Sequence, residues 1–291
     1  MPIIANLDTF QQENVLYNSF IGAYEFKILN PVPSSQQQNG QFCKLNALSM
    51  VLNWLHHTQP DLPKPPPVRK SYGLFQENDA TTSLREIAKK QHGSQVGEVY
   101  DPFTLMAIAR QSGYADLTLI TPCTPSDYIE TLINAVNAHE APIVFFDVNV
   151  KTGDVIQANG KWEHAAVIVG YFTTKENKPG FILAQWGQYH WCHANDLALS
   201  AGQLSLSRQA ETFYKFKKNW KEHEAIAEYE PYLLFQKADK VRVANAPTHN
   251  GGFRNAILIV SNKKKQHVKM LDNEQEHLFT DYLMRQGPLK N

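Results

Sequence analysis

The chain has 291 residues, 43% hydrophobic and 19% charged, enough to bury a substantial core in an ordinary globular composition. The 28 basic residues are balanced by 28 acidic ones, which excludes a global electrostatic case for nucleic acid or an anionic membrane surface as partner. Cys43, Cys123 and Cys192 are too few, and odd in number, for a disulfide scaffold; they suit a reducing compartment.

No basic segment followed by an apolar core opens the chain, and no apolar run is long enough to span a bilayer. The expectation is a cytoplasmic protein, or an effector exported without a cleaved signal peptide, with no membrane insertion. Residues 1–30 are mixed in character and read as an N-terminal arm. Pro31 to Gly40 is a polar loop. It runs into Gln37-Gln38-Asn39-Gly40-Gln41-Phe42-Cys43, where a helical pattern begins. Leu45, Leu48, Leu52 and Leu55 mark one apolar face, and the helix is expected to reach about His57. That puts Cys43 in the first turn, where unpaired N–H groups and the helix dipole favour a thiolate. The thiolate is the nucleophilic form.

The proline-rich stretch from Gln59 to Pro67 must be a loop. Ser83 to Gln91 and Pro102 to Ser112 read as helices, with Ser83 and Asp101 as N-caps and Gly113 as a stop. Asp116 to Thr121 reads as a short strand and Ser126 to Ala138 as a helix burying Tyr128, Ile129, Leu132, Ile133 and Val136. Ala141 to Val148 is an apolar strand. A loop through Gly153 and Gly160 leads to Trp162–Tyr171, a buried strand with His164 at its start and Gly170 weakening its far end. Lys175 to Gly180, with Pro179-Gly180, reads as a hairpin loop. Phe181 to Ala184 is then a second strand ending in Gln185-Trp186-Gly187. Such a hairpin would set a polar group near His164, giving nucleophile, base and orienter in the order Cys, His, amide.

Beyond Ser200 the composition changes. Glu211 to Ala225 reads as a Lys-rich helix, Tyr232 to Phe235 and Ala256 to Val260 as strands, and Glu274 to Gln286 as a terminal helix. Residues 201–291 are expected to be an α+β extension packed on the main domain. Lys263 to Lys265 reads as a solvated turn, and Gly251-Gly252 as a turn rather than a nucleotide cradle. His190, Cys192 and His193 lack a second Cys/His pair at zinc-site spacing, so neither metal nor cofactor is expected.

Taken together these segments resemble the papain-like cysteine peptidases. The matching residues are Gln37 or Gln38, Cys43, the strand His164-Ala165-Ala166-Val167-Ile168-Val169-Gly170-Tyr171, and Gln185-Trp186-Gly187. The resemblance implies an α+β papain-like fold over residues 31–200, with a helical lobe carrying Cys43 and an antiparallel sheet lobe carrying His164. It implies Cys43 as nucleophile, His164 as base and Gln185 as orienter, with Asn195 and Asp196 as alternatives. Gln37, at the papain spacing, or Gln38, at a spacing that resembles Josephin-type deubiquitinases, would join the Cys43 N–H in an oxyanion hole. The chain departs from the family in two places. Gln185 directly precedes Trp186, where the family has Asn or Asp with a residue between. Lys44 stands where an aromatic often follows the cysteine. The implied function is cysteine-dependent cleavage of an amide in a protein or peptide, with cleavage after ubiquitin or a similar modifier as one form. Transglutaminase- or deamidase-type acyl transfer and a catalytically silent binding module are the alternatives.

Overall fold

The apolar run that begins at His164 is the spine of the fold. The computed structural model describes residues 3–4, 23–28, 32, 34, 43–68, 82–91, 99–174, 176–205 and 252–261. In it the run is strand β6 (Glu163–Thr174), buried at every position except Thr173, as a continuous apolar run covered on both faces should be. One edge of β6 pairs with β7 (Pro179–Gln185). The other edge is shared. Its first half pairs with β4 (Ile143–Val148), from Ile143↔Val167 to Asp147↔Glu163, and its second half with β2 (Ala23–Ile28). β8 (Gln188–His193) and β1 (Ile3–Ile4) extend the sheet beyond β7. β9 (Ile257–Val260) and β3 (Leu117–Ile120) extend it beyond β4, and β5 (Val155–Ile156) pairs with the end of β4. Every pairing among the described residues is antiparallel.

Helix α1 (Cys43–Thr58) packs on β6 and β4. Its residues from Cys43 to Leu52 are all buried, so its start is enclosed on every side rather than on the leucine face alone. α2 (Leu84–Gln91) is opened by a capping box. The Glu86 N–H donates to Ser83 Oγ at 3.2 Å and the Ser83 N–H donates to Glu86 Oε2 at 3.4 Å. α3 (Pro102–Gln111) is capped by Asp101, which accepts the Thr104 N–H and hydroxyl at 2.8 Å each. α3 packs on α1 and α2. α4 (Pro125–Asn137) and α5 (Ala194–Gly202) pack on each other, α4 also on β6 and α5 also on β4. The result is an α+β fold.

The helices and strands expected between Cys43 and Val148 are present with ends shifted by a residue or two. Two punctuation signals act differently from expectation. Gly170 does not weaken the end of its strand: β6 runs on to Thr174, and the register shifts between Ile168 and Gly170. A glycine inside an otherwise good strand marks a bulge here. Pro179-Gly180 is not a loop but the start of β7, opposite Thr173 and Phe172. Gly180 is there because a Cβ would lie 2.2 Å from Phe172 Cζ; the strand needs a glycine where the ring crosses it. β5, β8 and α5 occupy stretches to which the sequence assigns no element.

The segments read as an arm and as an extension both contribute to this one sheet. β1 and β2 come from residues 1–30, and β9, from the segment after 201, lies between β4 and β3. Gln37, Gln38, the expected helices 211–225 and 274–286, the strand 232–235 and the turn 263–265 lie outside the described residues.

Candidate active site

Strand register decides which polar groups share a face. Val167 pairs with Ala184, and continuing that register sets Gln185 opposite Ala166. Alternate residues face the same way, so His164, Ala166 and Gln185 share one face of the sheet. Leu183 pairs with His190, which brings His190 to that face as well. All three polar side chains are buried.

β7 and β8 are joined by the two-residue turn Trp186-Gly187, with φ of 51° and 75°. Positive φ at both positions is the type I′ hairpin turn, which Asn-Gly would fill without strain. A tryptophan there is an outlier costing about 1–3 kcal/mol. Its ring lies against His164, with centroids 4.8 Å apart and planes tilted by 47°, and edge-on to His190 at 6.3 Å. Phe146, opposite His164 on β4, meets the imidazole edge-to-face at 5.6 Å. His164 is therefore in contact with two aromatic rings.

Gln185 is held from behind. Its Nε2 donates to the Gly153 carbonyl at 3.4 Å, which leaves Oε1 as the end free to accept from the imidazole. Gln185 raises the proton affinity of His164 as a hydrogen-bonding neighbour. The bond is not aligned, however: His164 Nε2 and Gln185 Oε1 are both buried without a hydrogen-bond partner. Gly153, at φ 76°, is wedged so tightly that a Cβ would be 3.1 Å from His190 Cε1 and 3.3 Å from Trp186 Cζ3. Burial pushes the His164 pKa down to about 3, the Lys44 charge adding to the effect, and burial lowers that of His190 to about 4. Both imidazoles are neutral at pH 7.

Cys43 is the first residue of α1 and only 5% exposed; His164 is 4% exposed. The residue after Cys43 and the residue before His164 form an ion pair. Lys44 Nζ lies 2.7 Å from Glu163 Oε1, with side chains 1% and 0% exposed. Lys44 Nζ also lies 5.5 Å from the Phe253 ring centroid and 5.9 Å from that of Tyr100. Beside Glu163 on the sheet, the buried Asp147 carboxylate accepts the N–H groups of Ala158, Gly160 and Trp162 at 2.8–3.1 Å. These bonds gather the loop that leads into β6. Upstream of Cys43, the Ser34 hydroxyl donates to the Gln188 carbonyl at 2.8 Å and the Tyr189 hydroxyl to the Val32 carbonyl at 3.0 Å. The chain approaching Cys43 is thus tied to the hairpin that carries Gln185.

Of the residues singled out from the sequence, His164 and Gln185 lie side by side, and Cys43 opens the helix fastened to the His164 strand. Gln37 and Gln38 lie outside the described residues. Asn195 and Asp196 are exposed in the first turn of α5, whereas His164 is buried. Cys123 is exposed; Cys192 is buried, which raises its thiol pKa, with the Asp196 charge adding to the rise. His190 and Cys192 face inward while His193 is exposed, so the three do not converge. No group of three or more His, Cys, Asp or Glu among the described residues is arranged to hold a metal ion. Lys44, Glu163, Asp147, Gly153 and His190 are the site neighbours that sequence reasoning gave no role.

No family model matches the chain, and no curated protein matches it significantly. Among solved structures, a Bacillus anthracis protein assigned by its description to C39-like peptidases is similar. It is 15% identical with a TM-score of 0.36, over 61% of this chain and 92% of that one. No helix among the described residues is long and apolar enough to cross a membrane.

Proposed function

We propose that the chain is a cysteine-dependent hydrolase of papain-like type that cleaves an amide bond in a protein or peptide. The observation that carries this reading is the junction of two elements: a cysteine opens a helix whose second residue is ion-paired to the strand position just before a buried histidine. The shared face of His164 and Gln185, with the amide turned by Gly153, supports the third role.

In this reading the resting site holds a thiol and a neutral imidazole. His164 Nε2–H points to Gln185 Oε1, which leaves Nδ1 to take the Cys43 proton. The thiolate attacks the carbonyl carbon, the carbonyl electrons move to oxygen, and the Cys43 N–H stabilises the oxyanion. Such a donor contributes about 2.7–4 kcal/mol in comparable sites. The C–N bond then breaks, His164 protonates the leaving amine, and water hydrolyses the thioester. Burial and the Lys44 charge oppose a standing imidazolium in the resting site.

The test is exposure of the full chain to a peptide electrophile and to a ubiquitin-derived electrophile, with mass mapping of the adduct. Modification of Cys43, lost in His164→Ala and weakened in Gln185→Ala, is expected. Release of ammonia without a new N-terminus would assign the same site to deamidation. Absence of any Cys43 adduct, with the chain folded, would leave a binding module.

A further inference from the structure

We propose that Lys44 and Glu163 are positioning residues for the site: their buried ion pair sets the spacing between the helix that presents Cys43 and the strand that presents His164. The inference rests on the reading of Cys43 and His164 as nucleophile and base, and deepens it.

A buried ion pair is a costly way to hold a helix on a sheet. Removing two charges from water offsets most of their attraction, and well-packed apolar side chains of similar volume would hold as firmly or better. What apolar packing lacks is direction and a fixed length. An apolar contact between α1 and β6 tolerates sliding; a 2.7 Å contact between an ammonium and a carboxylate oxygen does not. The location is specific. Of the charges that could have been buried, the pair uses the residue directly after Cys43 and the one directly before His164. Both supports are stiff: α1 is enclosed from Cys43 to Leu52, and β6 is paired on both edges. The Lys44 stem has little room to wander, since the residue is 1% exposed and its ammonium lies near both the Phe253 and Tyr100 rings. Directly across the strand pair from Glu163, Asp147 gathers the backbone that enters β6. Neither Lys44 nor Glu163 is assigned contact with the reacting atoms; each acts through its neighbour in the chain.

Removing one charge alone would confound geometry with electrostatics, because Lys44 also bears on the His164 pKa. Glu163→Asp separates the two: the charge stays and the reach shortens by one methylene. Misplacement by about 1 Å costs up to about a hundredfold in rate at such sites. Lys44→Met/Glu163→Leu removes both charges together. In each full-length variant, iodoacetamide alkylation of Cys43 is measured from pH 5 to 8 against the exposed Cys123 of the same molecule. A second arm uses the His164→Cys background and measures oxidative cross-linking of the introduced thiol to Cys43, which reports proximity without catalysis.

The expected result is a thermal midpoint near that of the parent, a Cys43-to-Cys123 rate ratio lowered at least tenfold, an altered pH profile, and slower cross-linking in both variants. Unchanged ratio and unchanged cross-linking in folded variants would overturn the proposal. So would loss of the fold in both, since the pair would then be a requirement of folding rather than of the site. If Cys43 of the parent reacts no faster than Cys123, the hydrolase reading fails, and the cross-linking arm alone decides the positioning role.

Discussion

At the scale of single residues, the site is defined by groups kept neutral or paired below the surface. His164 and His190 both have lowered pKa values, about 3 and about 4, because burial disfavours their charged forms. An unfolded chain would protonate both near pH 6.5. Between that pH and the folded values the unfolded state binds more protons, so stability is full above about 6.5 and falls as pH drops. Each imidazole contributes a slope of up to about 1.4 kcal/mol per pH unit. The loss ends near pH 4 for His190 and near pH 3 for His164. Urea denaturation between pH 7 and 4 should show this decline, and His190→Leu and His164→Leu should each flatten it. An equally steep decline in both variants would assign the acid sensitivity to other groups.

At the scale of elements, the β6–β7–β8 region combines long, well-paired strands with two tight places. One is the turn at Trp186-Gly187, whose strained backbone lays the tryptophan ring on His164. The other is Gly180, crossed by the Phe172 ring. Gly180→Ala should destabilise the chain by about 1–3 kcal/mol, the range for overpacking a filled site. Phe172→Leu in the same chain should recover part of that loss, because it removes the atoms the new methyl meets. A thermal midpoint unchanged by Gly180→Ala would show that the ring can move aside freely.

At the scale of the whole molecule, the sheet is assembled from distant parts of the chain. β9 joins β4 to β3 and is buried at all four positions. A chain ending at residue 205 would leave β4 and β3 without the strand between them. Such a chain should lack a cooperative thermal transition and near-ultraviolet circular dichroism. A sharp transition in the truncated chain would mean instead that the segment after 201 is a true appendage.

Local signals determined much of what precedes the site. Ser83, Asp101 and Gly113 bound helices because a cap or a positive φ is a property of a few neighbouring residues. The Leu45–Leu55 spacing and the β-branched run after His164 likewise named a helix and a strand and their junctions with Cys43 and His164. Gln185 was legible as a polar residue at the end of the partner strand. The rest was decided by tertiary structure, for physical reasons. Pro179-Gly180 has the composition of a turn, and only the Phe172 ring across the strand shows why the glycine is there. The sequence marks Lys44 only as a departure from the resemblance and Glu163 only as part of a buried strand, since nothing in the chain states that two residues so far apart in sequence will lose their water against each other. The place of Ile257–Val260 between β4 and β3 depends on strand edges supplied by distant parts of the chain. Sequence alone thus determined that a cysteine opens a helix and a histidine opens a strand; tertiary structure decided the buried Lys44–Glu163 ion pair that joins the two elements, because pairing across the chain is set by burial and not by neighbours.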